Sequence, residues 1–203
     1  MPYNPDIHHR RSIRLKGYDY SQAGAYFITI CCSDRICRFG NIIENEMTIN
    51  EFGQIAYNEW IKLTERFANF ELDVFQIMPN HLHGIIVLND TVGAGFTPAR
   101  NDDNAQNDSV DDKRAGASPA PTVSDIVGAY KSLAANGCLG IYKSKNETMG
   151  KLWQRNYHEH IIRNEQSYQT ISNYIINNPS KWNDDKFYAG AGLASAHSKN
   201  KTQ

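Results

Sequence analysis

Residues 71–88, ELDVFQIMPNHLHGIIVL, constrain this chain more than any other stretch. Leu72, Val74, Phe75 and Ile77 lead into Pro79-Asn80, and a second apolar run, 81–88, follows at once. Proline lacks an amide proton and biases the residue before it away from helical angles, so one helix does not run through both halves. Each half has a strand's length rather than a helix's. The stretch therefore predicts a β-hairpin, and a hairpin alone is marginal in water. The rest of the chain must supply more strands and a helical cover.

It does so in a recognisable order. Residues 24–32, GAYFITICC, are β-branched and aromatic and predict a first strand. In 48–70, Phe52, Ile55, Ala56, Trp60, Leu63 and Phe67 recur at spacings of three and four, which predicts a helix with Asn50 as its N-cap. After the hairpin, 122–137 predicts a second helix, with Ser124 as N-cap and Gly137 as the stop. Residues 151–163 predict a fourth strand, and 164–179 a third helix that ends at Pro179. The order β-α-β-β-α-β plus one helix predicts an α+β fold: a ferredoxin-like antiparallel sheet with helices on one face and a C-terminal helix beyond it.

Two segments break the pattern. Residues 90–122 are rich in Gly, Ala, Pro, Asn and Asp without apolar periodicity and predict a disordered insertion; 189–203 predict a flexible tail. A single domain over 1–188 results. Within the insertion, VGAGFTPAR (92–100) and RAGASPAPT (114–122) are related through DNA. A strand with suitable codons for VGAGLAPAR reads RAGASPAPT on its complement, one base out of frame, and 92–100 departs from that ideal only at Phe96 and Thr97. The tail's GAGLASA (190–196) departs from it only at Ser195. We hypothesise that the insertion translates an inverted DNA repeat. Sequencing codons 92–122 is expected to show arms that pair, and arms that cannot pair refute it.

The 21 basic and 22 acidic residues leave a net charge of −1, which argues against a generally basic, non-specific nucleic-acid binder. The basic side chains are clustered, however. Arg10, Arg11, Arg14 and Lys16 open the chain, with Tyr18, Tyr20 and Tyr26 after them; Lys151, Trp153, Arg155 and Arg163 form a second basic-aromatic group. Such groups suit phosphates and unstacked bases, and equally an ordinary solvated surface. Cys31, Cys32, Cys37 and Cys138 contain no C-x-x-C pair and read as reduced, mostly buried thiols. The polar, basic start is unlike a signal peptide, and no apolar run reaches the ~18 residues of a membrane span, so the expected compartment is the cytoplasm.

The chemistry resides in the hairpin. Side chains alternate along a strand, so His81 and His83 face one way and Leu82 the other. Two imidazoles suit a divalent metal but seldom complete a site. Gly84 beside them would let a ligand approach closely. On the last helix, Tyr174 and Asn178 lie one turn apart on one face. The amide can give an oxygen to a hard cation, and the phenol can attack phosphorus once it loses its proton. Tyr174 could equally be a core aromatic beside Ile171 and Ile175. Tyr157, in NYHEH, is a rival nucleophile.

Together, PNHLHGI (79–85), LWQRNYHEHIIRN (152–164) and YIINNP (174–179) resemble the REP-associated tyrosine transposases, which belong to the single-tyrosine HUH (His-hydrophobic-His) transposases with the IS200-like enzymes. The resemblance spans roughly 10–88 and 122–188. It implies a bacterial DNA strand transferase that cleaves and rejoins single-stranded DNA at palindromic hairpin repeats through a 5′-phosphotyrosine intermediate. It assigns metal ligation by Mg2+ or Mn2+ to His81, His83 and Asn178, and the nucleophile to Tyr174. Arg10, Arg11, Arg14, Lys16, Lys151, Arg155 and Arg163 would hold the DNA. The implied partner is single-stranded hairpin DNA like a repetitive extragenic palindrome, with the protein a monomer or homodimer. The alternatives are a non-catalytic hairpin-binding regulator on the same fold, a metal-dependent hydrolase using water, and an RNA-binding module with Tyr26 and Phe27 on its sheet face.

Overall fold

A computed structural model describes residues 17–89 and 121–188. The chain runs β1 (Gly24–Cys31), β2 (Gly40–Ile43), β3 (Glu46–Ile49), α1 (Glu51–Ile61), α2 (Leu63–Arg66), β4 (Phe70–Met78), β5 (His81–Leu88), α3 (Val123–Ser144), β6 (His158–Ile162) and α4 (Glu165–Ile176). Short 3-10 turns occupy Ser33–Arg35 and Pro179–Asp184. The main sheet has the order β4-β5-β1-β6, with every neighbour antiparallel. This is the ferredoxin-like, α+β arrangement expected from the element order.

The register Ile28↔Gly84 and Thr29↔His83 divides the sheet into two faces. Tyr26, Ile28 and Ile30 of β1 join Leu82 and Ile86 of β5 on the face covered by α1 and α3, where Trp60 meets Tyr130 edge-on at 5.0 Å. Phe27, Thr29, His81 and His83 line the opposite face, which α4 covers. The Tyr168 hydroxyl ties α4 down by donating to Asp73 Oδ2 at 2.7 Å, at the irregularity in β4 between Leu72 and Phe75.

Several elements depart from the expected boundaries, each for a local reason. The helix predicted over 48–70 is split into α1 and α2, with Asn50 Oδ1 accepting from the Phe52 and Gly53 amides at 3.0 Å each. The second helix is capped by Thr122, in a reciprocal box with Asp125, not by Ser124. Gly137 does not end it. A Cβ there would lie 2.7 Å from Ile55 Cγ2, so this glycine lets α3 cross α1 closely while the helix continues to Ser144. The fourth strand is shorter than 151–163: only 158–162 pair with β1, and Trp153 makes a lone bridge to Cys32. The β2–β3 hairpin stands outside the expected order. Its turn holds Glu44 and Asn45 at φ of 51° and 67°, the left-handed pair a tight hairpin requires. All four cysteines are free; Cys31, Cys32 and Cys138 are buried and Cys37 is half-buried. The proposed insertion and tail fall almost wholly outside the described residues, as do Arg10, Arg11, Arg14 and Lys16.

Candidate functional site

The hairpin turn and β5 position the two imidazoles. Met78↔His81 and Gln76↔His83 are cross-strand pairs with β4, so both histidines sit mid-sheet and neither is solvent-exposed. Their rings are 4.4 Å apart. The amide of Asn80 fixes the orientation of His81. Its Nδ2 donates to two carbonyls, Arg35 O at 3.1 Å and Phe187 O at 2.9 Å, which leaves Oδ1 as the acceptor. His81 Nδ1 lies 2.8 Å from that oxygen and must carry the proton. His81 Nε2 is thus a lone-pair donor, buried, with no hydrogen-bond partner. His83 Nδ1 is 2.8 Å from Thr29 Oγ1, and its Nε2 is 3.1 Å from the Tyr174 hydroxyl.

Helix α4 and the turn after it bring the remaining groups. Tyr174 is presented on the last turns of α4, edge-on to Phe27 with centroids 6.1 Å apart. Asn178, one turn further, is buried; its Nδ2 donates to Asp185 Oδ2 at 2.7 Å, and its Oδ1 is buried without a partner. Asp185 also accepts from the Tyr174 hydroxyl at 3.2 Å and from the Phe187 amide at 2.6 Å. A nitrogen of each histidine and a carboxylate oxygen of Asp185 all lie within 4.8 Å of one another. Trp182 and Phe187 wall the cluster, at 5.9 and 4.7 Å from the His81 ring. One chain supplies every one of these groups.

Burial sets the electrostatics. It pushes the His81 pKa down to about 3, with Lys186 acting in the same direction. Burial, then the neighbouring His81, holds His83 well below its ordinary value. Both rings are therefore neutral near pH 7, the form that binds metal. Tyr174 is pushed up to about 12, first by burial and then by the Asp185 carboxylate. The two unpartnered lone pairs, on His81 Nε2 and Asn178 Oδ1, cost free energy unless something accepts them. A divalent cation fits this set of nitrogen and oxygen donors.

The histidine burial has a pH consequence. An unfolded His81 titrates near the ordinary value of 6.5 and the folded one near 3, so the unfolded chain binds more protons between those values. Stability contributed by the neutral ring is complete above pH 6.5 and is lost as pH falls toward 3. In EDTA, each pH unit within that window is expected to cost about 1.4 kcal/mol for His81 alone, with His83 adding in the same direction. Urea unfolding midpoints at pH 7.5 and 5.5, compared with His81→Gln, test this; the variant should show the shallower loss.

Other predicted residues are placed elsewhere. The Tyr157 hydroxyl is 3.2 Å from Ser124 Oγ on α3, across the sheet from the histidines, which removes it as a nucleophile for this cluster. Gly84 does not admit a ligand: a Cβ there would sit 2.8 Å from Trp60 Cζ2, so it accommodates the indole on the helix face. Lys151 and Arg155 line a groove of about 720 Å³ together with Arg35. Trp153 is buried and its Nε1 donates to Lys131 O at 3.0 Å, so its ring is core rather than a base platform. Tyr26 is fully buried, and Tyr18 and Tyr20 pack around it at 6.5 and 6.1 Å. Arg163 is exposed and follows Ile162, which pairs with Ala25, whereas Trp153 bridges Cys32. The two ends of β1 thus separate Arg163 from Lys151 and Arg155 by roughly 20 Å, and they do not form one group. The residues that sequence reasoning missed are Asp185 and Asn80. Asp185 lies in an aperiodic stretch after the last helix, and Asn80 reads as an ordinary turn residue.

No family model matches the chain. An uncharacterized protein of Haemophilus influenzae is 41% identical over 187 residues, covering 92% of this chain and 97% of that protein. Among solved structures, a REP-associated tyrosine transposase bound to a REP hairpin superimposes with a TM-score of 0.50 at 20% identity, covering 83% of this chain and 74% of that one. No helix among the described residues is long and apolar enough to cross a membrane.

Proposed function

We propose, from the premise that this chain belongs to one family with the uncharacterized Haemophilus influenzae protein and carries the fold of a REP-associated tyrosine transposase, that it is a metal-dependent DNA strand transferase acting on single-stranded DNA beside hairpins. The observation that carries this reading is the convergence of the Tyr174 hydroxyl on His83 Nε2 at 3.1 Å and Asp185 Oδ2 at 3.2 Å, beside two buried lone pairs that have no partner. A structural tyrosine would not need that company.

His81, His83 and Asp185, with Asn178 Oδ1 beside them, would hold Mg2+ or Mn2+. When bound, the ion would supply positive charge that offsets charge building on the scissile phosphate and lowers the proton affinity of the nearby phenol. The protein's own groups do the rest. Asn80 and Thr29 hold the imidazoles in place through their Nδ1 atoms, the outer-shell arrangement that orients metal-binding histidines. Asp185 Oδ2 is poised to take the Tyr174 proton. The phenolate oxygen then attacks phosphorus, the bond to the 3′ oxygen breaks, and that oxygen leaves as a 3′-hydroxyl, taking up the proton that Asp185 received from Tyr174. The phosphodiester is exchanged for a 5′-phosphotyrosine ester, so rejoining needs no nucleotide cofactor. In this reading Tyr174 acts on the site of its own protomer, whose His83 and Asp185 it meets at 3.1 and 3.2 Å. Lys151, Arg155 and Arg35 in their shared groove, Arg163 at the far sheet end, and Arg10, Arg11, Arg14 and Lys16 are proposed to contact phosphates.

The test is incubation with end-labelled DNA hairpins bearing single-stranded flanks, in Mn2+, followed by denaturing electrophoresis. A labelled band at the protein's mass that vanishes on protease digestion is expected. Hairpin retention without any adduct would support the regulator reading, and cleavage without an adduct would support the hydrolase.

A further inference from the structure

A second cleft adjoins the cluster on the α4 side. Phe27, Ile171, His160, Asn164, Gln166 and Thr170 line a space of about 540 Å³ between β6 and the first half of α4. Phe27 belongs to both places. Its ring meets Tyr174 edge-on at 6.1 Å and tilts over His83 at 5.4 Å, and it also lines the cleft. His160 stands opposite Phe27 in the β1–β6 register, so both rings rise from the same sheet face.

We infer that this cleft holds one nucleobase of the strand whose phosphate reaches Tyr174; the inference rests on the strand-transfer reading above. The lining defines the ligand's chemistry. No Lys, Arg, Asp or Glu lines the cleft, so no permanently charged side chain there draws in a phosphate or a cation. Phe27 and Ile171 make apolar walls, while His160, two carboxamides and the Ser167 and Thr170 hydroxyls make the polar rim. A neutral, flat ligand with hydrogen-bonding edges matches that lining, and unpaired bases are held by stacking with edge contacts of this kind. Asn164 Oδ1 is already used, accepting the Ser167 amide at 2.8 Å, so its NH2 group is the part that can face a ligand. Gln166 offers both a donor and an acceptor. Because Phe27 separates cleft and phenol by one ring, the base belongs to a nucleotide adjoining the scissile phosphate.

The probe is a pool of DNA hairpins with about six randomised single-stranded nucleotides on each flank, incubated with the full chain and Mn2+, with covalent species isolated under denaturing conditions and sequenced. The unaltered protein is expected to enrich one base at least about fivefold at a position adjoining the joined phosphate. Thr170→Trp fills the cleft from an exposed helical position, and Gln166→Ala removes a rim amide without adding bulk. Each is expected to reduce the preference at that position below about twofold while other positions keep theirs, with thermal melts verifying the fold. Unchanged preference in both variants, or adducts of the unaltered protein with no preferred base beside the joined phosphate, overturns the base pocket and leaves strand transfer standing. No adduct from the whole pool overturns strand transfer itself, and the pocket falls with it.

Discussion

Tyr174→Phe is expected to abolish the covalent DNA adduct and to lower strand cleavage by at least about a thousandfold, while hairpin binding changes less than about threefold. The substitution removes one oxygen. The ring remains, and with it the edge-on contact to Phe27 and the contact to His83 at 5.1 Å. Two hydrogen bonds are lost, but Asp185 keeps its donors from Asn178 and the Phe187 amide, so no bare carboxylate is left behind. The ring is about one third exposed, which further limits the stability cost, to about 1 kcal/mol. Removing the hydroxyl deletes the group at the cluster that forms the phosphotyrosine. Equal cleavage rates for Tyr174→Phe and the unaltered protein, measured in single-turnover reactions with labelled hairpin, would refute the nucleophile assignment.

His81→Ala is expected to weaken Mn2+ binding by about a hundredfold or more and to remove cleavage at ordinary metal concentrations. EDTA treatment of the unaltered protein should give the same loss, reversed by adding Mn2+. The expected stability effect without metal is much smaller. Truncation opens a cavity beside Trp182 and Phe187 and strips Asn80 Oδ1 of its donor, each of which is destabilising. It also deletes a buried lone pair that nothing satisfies, which partly offsets them. A net loss of about 2 kcal/mol is expected in EDTA, against a larger difference in Mn2+, where only the unaltered protein gains from binding. Isothermal titration with Mn2+ and paired urea melts separate the two terms. Full activity in EDTA, or equal Mn2+ affinity in the variant, would remove the metal role from this histidine.

The same physics explains which parts of the site were legible in the chain. His81 and His83 share a face because a strand has a period of two, and Tyr174 and Asn178 share one because a helix has a period near 3.6. Those periods are local, so the pairs could be read without knowing where either element packs. Glycine was misread at both places where it mattered. Gly137 looks like a helix stop and Gly84 like a ligand port, yet each makes room for a bulky side chain, Ile55 and Trp60, from an element more than twenty residues away in sequence. Nothing local distinguishes a glycine that ends a helix from one that lets another helix cross it. Trp153 and Tyr26 were misread in the same way: an aromatic beside basic residues looks like a base platform until the sheet buries it.

The order of elements, the hairpin break at Pro79-Asn80 and the two pairs of like-facing side chains were thus determined by the sequence itself, through hydrogen-bond geometry and apolar periodicity that act over a few residues. That Asp185 completes the cluster, that Asn80 orients His81 while holding the Arg35 and Phe187 carbonyls, and that Tyr157 faces the other way were decided only by the tertiary structure. The physical reason is the sheet order. Placing β5 beside β1 and laying α4 over their open face joins segments about a hundred residues apart, and the side chains that meet there are chosen by strand register and helix docking, which no short window of sequence contains.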